Sequence, residues 1–284
     1  MRLATVGRIF AYCFLALVLA VVTYVLSMSG IYHTPKSFLM PSSYVSPGDK
    51  ILIVGGTRGT GLETVKLLLE QGEDVTAIVR ATSNVDALNA LGVKQVVADA
   101  LIAEQVQRAI PPGEYRTVIS LLGTSLRDLP KRQNSIQALI RGQTKMDPNK
   151  RPDFIGNRNV IDAAQAAGVE RFIFVTVIGT GESHDALPWP ARRGHNAVLP
   201  LKQRAEEYLR ASNMKYTIIR PGGLSNGVST GAAKLTEDSM SFSYISRIDT
   251  AMLVVAALGD TQTIDKTYTA YDPKRRYLWK LFLD

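Results

Sequence analysis

Apolar positions cluster into short runs along most of this chain, and polar or periodic stretches separate the runs. Ile51–Val54, Asp74–Val79, Gln95–Ala98, Thr117–Leu122, Arg171–Val177 and Lys215–Ile219 are each dense in β-branched or aromatic side chains. Runs of this length that do not alternate with polar residues suit strands buried on both faces of a parallel sheet. Helical spacing fills the gaps, beginning near Gly61 and covering Asn157–Ala167, Leu199–Ser212 and Ser246–Leu258. Pro221-Gly222-Gly223 stops the sixth strand. Strand and helix in alternation predict an α/β domain over residues 50–273, doubly wound around a mostly parallel sheet.

One run is different in kind. Ile9–Met28 is twenty residues without a charge, long enough to cross the hydrocarbon core of a bilayer as a helix. Tyr12 and Tyr24 lie towards its ends, and residues 1–8 carry Arg2 and Arg8. The run reads as an uncleaved single-pass anchor. A cleaved signal peptide is the rival reading, against which stand the length of the run and the poor small-residue cleavage pattern. Residues 29–49 contain Pro35, Pro41 and Pro47 without periodicity and read as a linker.

The first strand leads into Gly55-Gly-Thr57-Arg58-Gly59-Thr60-Gly61, and the next strand follows some twenty residues later. A strand, a glycine-rich turn and a helix start form an anion site. The turn brings backbone close to the ligand, and the first helical N–H groups and the dipole point at it. A lone glycine motif is weak; within a βαβ unit it predicts a Rossmann-type dinucleotide site. Arg80 follows the second strand where an NAD-selective fold carries an acid for the ribose 2′-OH. Arg80, with Arg58 in the loop, suits the 2′-phosphate, so NADP(H) is expected and NAD(H) is less favoured. In this fold Gly55, Arg80, Asp99, Ser120, Thr176 and Pro221 converge at the carboxyl ends of the strands.

Charge and composition change this picture little. The net charge is +8, and eight Lys or Arg fall between Arg127 and Arg158 against Asp128, Asp147 and Asp153. That stretch is a solvated loop or a docking surface; no nucleic-acid motif accompanies it. The single cysteine, Cys13, excludes an internal disulfide or cysteine-based metal site, and His33, His184 and His195 form no metal-ligand pattern. Residues 274–284 alternate basic with bulky apolar side chains. They suit a membrane interface, a partner or an ordinary last element.

Residues 50–273 resemble the atypical short-chain dehydrogenase/reductase superfamily, and within it the NAD(P)H-binding group of NmrA-like proteins and flavin reductase/biliverdin reductase B. The likeness rests on GGTRGTG at 55–61, Val79-Arg80, Ala98-Asp99-Ala100, Ile119 to Gly123, and GNRNVIDAAQAAGVERFIFVTVIG at 156–179. Lys202 with Ala205-Glu206, YTIIRPGGL at 216–224 and ISRIDTA at 245–251 extend it. The resemblance implies that Asp99 and Ala100 flank the adenine. It implies that Ser120, Leu121, Gly123, Thr176, Pro221, Gly222, Gly223 and Leu224 line the ribose and nicotinamide.

Catalytic members of that superfamily place a proton-donating tyrosine four residues before a lysine that lowers its pKa and holds the ribose. Here Lys202 is retained but the tyrosine position is Val198, and the assisting serine position is Val177, next to Thr176. His195 or Tyr208 would be the substitute acid; each also suits a packing or surface role. Two readings follow. One is a membrane-anchored NADP(H)-binding accessory or assembly subunit of a membrane complex. Its precedents in the superfamily are the nucleotide-binding accessory subunit of respiratory complex I and the dehydrogenase-like subunit of the chloroplast import machinery. The other is an NADPH-dependent reductase of a flavin, quinone or other lipid-soluble acceptor. Sugar-nucleotide epimerisation is disfavoured because it needs the tyrosine. The charge bias around residues 9–28 favours export of the domain, but the internal cofactor places it on the cytoplasmic, matrix or stromal side.

Overall fold

The computed structural model describes residues 2–28, 33–39, 48–124, 151–195 and 197–278. The predicted strands form β1 (Lys50–Val54), β2 (Asp74–Val79), β3 (Lys94–Val97), β4 (Thr117–Ser120), β5 (Arg171–Val175) and β6 (Lys215–Pro221). They lie in the order β3-β2-β1-β4-β5-β6, all parallel. Alternate residues of one strand serve opposite layers. Ile51 and Ile53 pack beneath α2 (Gly59–Glu70) and α8 (Arg247–Gly259), while Leu52 and Val54 face α4 (Ala103–Ala109), α5 (Asn157–Ala166) and α7 (Leu199–Arg210). Both faces are covered, which is why these strands read as continuous apolar runs.

The pattern of apolar runs leaves several elements unmarked. α3 (Asp86–Ala90) and α6 (Trp189–His195) are short, and β7 (Gly223–Ser225), β8 (Lys234–Thr236) and β9 (Tyr244–Ser246) are three residues each. β10 (Lys266–Tyr271) extends the sheet parallel to β6, and β8 closes it antiparallel to β10. β10 is rich in Thr and Tyr, so its hydroxyls hide it from a search for apolar runs. β7 and β9 make a separate parallel pair.

The apolar run forms α1 (Arg2–Ser27), about 39 Å long at 1.5 Å per residue, and residues 10–27 bury none of their length against the domain. After it the chain does not run free. Leu39 exchanges backbone hydrogen bonds with Leu235 of β8, and Thr236 Oγ1 donates to Ser37 O at 2.8 Å. His33 pairs with Asp238 at 2.6 Å, and Phe38 meets the Tyr271 ring at 5.9 Å between centroids. Residues 33–39 are thus a strap along the last edge of the sheet. The basic stretch at 125–150 and residues 279–284 lie outside the described residues. The described start of the tail packs inward: Arg275 is buried, with hydrogen bonds to Ser225 Oγ and Val228 O.

Candidate nucleotide site

Gly55 and Gly59 turn the chain from β1 into α2 with φ of +88° and +57°, backbone that glycine adopts without steric cost. Gly61 solves a different problem. A Cβ there would stand 2.0 Å from the Gly55 carbonyl oxygen, so the helix start and the turn touch through bare backbone. Arg58 is the N-cap of α2 and gives no side-chain cap, which leaves first-turn N–H groups to another acceptor. Thr60 Oγ1 beside them is buried without a hydrogen-bond partner. Buried donors of this kind call for an acceptor, and a pyrophosphate at the helix start supplies one. Thr57 is half-buried in the same turn. Arg247, at the start of α8, was not singled out in the sequence. Its Nε lies 3.1 Å from where a Cβ on Gly59 would be, so a second guanidinium besides Arg58 reaches the loop.

A cleft of about 480 Å³ opens at the ends of β2 and β3. Arg80 and Asp99 line it, and α4 contributes Gln105 and Arg108. Gln105 Oε1 accepts from Asp99 N at 2.7 Å, and Asp99 Oδ1 accepts from Leu101 N, so the Asp99 turn is braced. Asn159 Nδ2 holds Ala100 O at 2.9 Å. Two arginines on one cleft, with Asp99 the one acid among the described residues that line it, suit a phosphorylated ribose next to an adenine.

At the end of β4, Ser120 Oγ donates to Asn157 Oδ1 at 2.7 Å, and Asn157 Nδ2 donates to Asp153 O at 2.9 Å. Leu121 N bonds back to Val54 O, and a Cβ on Gly55 would stand 2.8 Å from Leu121 O, so the β1 and β4 turns meet. Lys202 arrives from α7. Its Nζ donates to Leu122 O at 3.4 Å and lies 3.6 Å from Asp153 Oδ1; a Cβ on Gly123 would stand 2.8 Å from that Nζ. Asp153 is fully buried and also accepts from Thr124 Oγ1 at 2.5 Å. In the sequence Asp153 is one charge at the end of a basic stretch; the fold brings it to Lys202.

Val198 stands one helical turn before Lys202, as Lys202 N donating to Val198 O at 3.0 Å shows. Neither substitute acid faces the lysine through a hydrogen bond. Tyr208 donates to Asp162 at 2.6 Å, a bond that raises its phenol pKa, and packs edge-on against Phe154. His195 Nδ1 bonds Ala191 O of its own helix. Thr176 is likewise committed: its hydroxyl donates to buried Glu206 at 2.7 Å. Thr180 Oγ1 donates to the same carboxylate, which also pairs with Arg220 Nη2 at 2.5 Å. Burial is the largest single influence on Arg220 and opposes its charge, but the hydrogen bonds and charges of Glu206 and Glu182 together raise its pKa. Pro221 to Leu224 follow directly, with Gly222 packed flat on Ser243 O and Leu224 exposed.

A family model described as NAD(P)H-binding matches residues 55–261. The chain belongs to the NAD(P)H-binding family. It is 28% identical over 223 residues to a Bacillus subtilis protein named as an uncharacterised sugar epimerase, covering 77% of this chain and 92% of that one. It is 25% identical over 230 residues to the photosystem II assembly factor Ycf39 of Guillardia theta, covering 76% of this chain and 63% of that one. Among solved structures, the anaerobilin reductase ChuY of Escherichia coli O157:H7 matches with a TM-score of 0.63 at 28% identity, covering 79% of this chain and 97% of that one. The glycine loop, Thr60 and the arginine-lined cleft fit the cofactor of this family. Gly55 to Gly61 and Arg247 would hold the pyrophosphate, and Arg80, Asp99 and Arg108 the adenosine end.

Proposed function

We propose that this chain is a membrane-anchored NADP(H)-binding accessory or assembly subunit of a membrane complex, with weak or no hydride-transfer chemistry of its own. The observation that carries this reading is Val198, one turn before Lys202, with that lysine engaged by Leu122 O and Asp153. A bound NADPH offers a hydride, but carbonyl reduction also needs a proton placed on the developing alkoxide. Among the described residues the two substitute acids are bonded elsewhere, His195 to Ala191 O and Tyr208 to Asp162, and Val198 has no proton to give. The assembly-factor relative supports the accessory role, and α1, long and apolar enough to cross a membrane, supports attachment to a bilayer. Mixing the full chain with NADPH and a panel of carbonyls, flavins and quinones tests the reading. Negligible turnover, with co-purification of a membrane complex in mild detergent, is expected.

The solved reductase favours one alternative, an NADPH-dependent reductase, whose acceptor we place among flavins, quinones and other lipid-soluble compounds. Such an acceptor takes a hydride and then a proton from water. Robust quinone or flavin turnover would establish it. Carbonyl turnover lost on changing His195 or Tyr208 would overturn the accessory reading.

A further inference from the structure

Glu206 follows Lys202 by one turn of α7 and is fully buried. Its carboxylate stands where the ends of β5 and β6 meet. Oε1 accepts from Thr176 Oγ1 at 2.7 Å, Thr180 Oγ1 at 2.8 Å and Arg220 Nε at 3.1 Å. Oε2 accepts from Arg220 Nη2 and, at 3.3 Å, from Arg210 Nη2. Arg220, itself 1% exposed, extends the network by donating through Nη1 to Glu182 at 2.7 Å.

The two strands do not need this ion pair to stay together. β5 and β6 are paired from Arg171–Lys215 to Val175–Ile219, and the ladder continues through Thr176 N to Ile219 O and Ile178 N to Pro221 O, both at 2.9 Å. A buried ion pair is weak evidence for stability, because desolvation of both charges offsets their attraction. What the network adds is a hold on the loop at 177–182. Beyond Ile178 that loop is tied to the domain by side chains: Thr180 to Glu206, Glu182 to Arg220, and Gly181 N to Gln203 Oε1 at 3.3 Å, again on α7. The chain after β6 is fixed differently. A Cβ on Gly222 would stand 1.9 Å from Ser243 O, and one on Gly223 2.3 Å from Cδ1 of Tyr244, whose hydroxyl donates to Met28 O at 2.8 Å just past α1. Close packing against β9 holds that side.

We propose that Glu206 is the positioning residue of the nicotinamide end of the nucleotide site. Through Thr176, Thr180 and the Arg220–Glu182 pair it presets the loop after β5 as a wall for the nicotinamide and its ribose, at the carboxyl ends of the strands where a doubly wound sheet receives its ligand. A wall ordered beforehand need not be ordered on binding, which raises affinity. This rests on the NADP(H)-binding reading above. Glu206 acts through other residues and takes no part in hydride or proton transfer. The adenosine end is independent of it: the cleft of Arg80 and Arg108 lies at β2 and β3, with β1 and β4 between it and β5.

The test titrates the full chain in detergent, by calorimetry, with NADPH and with 2′,5′-ADP, which carries the phosphorylated adenosine without the nicotinamide. Glu206→Gln keeps the side-chain shape and removes the charge. Thr176→Val combined with Thr180→Val keeps the Glu206–Arg220 pair and removes only the two hydroxyls, so it stands in where Glu206→Gln fails to fold. In either folded variant NADPH affinity should fall about five- to ten-fold, the scale of one net hydrogen bond. The affinity for 2′,5′-ADP should be unchanged, and the emission of bound NADPH, which comes from the nicotinamide ring, should move towards that of free NADPH. A purely structural role would lower both affinities together, and that result would overturn the proposal. Unchanged NADPH affinity in the folded Thr176→Val, Thr180→Val protein would overturn it equally. Failure of the unaltered chain to bind NADPH would instead remove the nucleotide-binding reading beneath it.

Discussion

A methyl group on Gly61 would stand 2.0 Å from Gly55 O and 2.8 Å from Gly55 C, both backbone atoms that no rotamer change can move aside. Gly61→Val is therefore expected to abolish NADPH binding, read by calorimetry, because the turn must shift out of the shape that receives a pyrophosphate. Arg80 acts through charge instead of space. A charge-assisted hydrogen bond to phosphate is worth roughly 1.5–3 kcal/mol, so Arg80→Asp should weaken NADPH binding about ten-fold or more. NADH binding should be little changed, and fluorescence titration of both cofactors checks the difference. Val198→Tyr restores a hydroxyl one turn before Lys202. If that hydroxyl is all that is missing, carbonyl reduction should rise by up to the roughly 10²–10⁴-fold that general acid catalysis supplies. The Lys202–Asp153 pair works against a full gain, since a carboxylate 3.6 Å from the ammonium offsets part of the field it would exert on a tyrosine. These positions differ in legibility. Gly55, Gly59, Gly61 and Arg80 sit within or directly after a strand-bounded motif, so spacing alone marks them. Asp153, Arg108 and Arg247 come from other elements, and no local pattern points to them. Thr176 was marked by its position after β5, but its hydroxyl goes to Glu206, a partner thirty positions away.

At the scale of elements, the strap within the 29–49 segment does more than a tether would. Its backbone bonds at Leu39 and the Thr236–Ser37 bond cover β8, the antiparallel edge of the sheet. An uncovered edge offers unpaired N–H and C=O groups to another chain. Removing residues 1–28 should give a soluble, folded, nucleotide-binding domain that keeps the strap. Removing residues 1–47 forfeits these hydrogen bonds, each worth about 1 kcal/mol. The shorter protein should melt about 5–10 °C lower in a thermal scan and aggregate more. The inner strands β1, β2, β4, β5 and β6 are legible because burial on both faces makes each a nearly unbroken apolar run, whereas β3, at the sheet edge, is half-exposed and shows only its paired valines. β7, β8 and β9 are not legible, since three residues carry no period, and β10 is masked by its hydroxyl side chains.

For the whole molecule, the decisive question is whether α1 holds it to a membrane. A spanning helix is retained by burial, which salt does not screen, whereas a basic surface alone is released as the Debye length falls to about 3 Å at 1 M salt. The full chain should therefore stay with membranes through high-salt and carbonate washes, measured by sedimentation and blotting. The sequence by itself determined the α/β alternation, the nucleotide loop and its arginine, the absence of the tyrosine and the long apolar run. All of these are local properties, set by spacing, chirality and transfer free energy within a few turns of chain. Only the tertiary structure decided that Asp153 meets Lys202, that Arg108 and Arg247 join the site, and that Glu206 takes the Thr176 hydroxyl. It alone decided that Tyr244 ties the end of α1 to the Gly223 turn. Those contacts join residues far apart in sequence, up to 216 positions for Tyr244 and Met28. They exist because packing of the two layers on the sheet brings distant ends together, and nothing in a local window encodes which ends will meet.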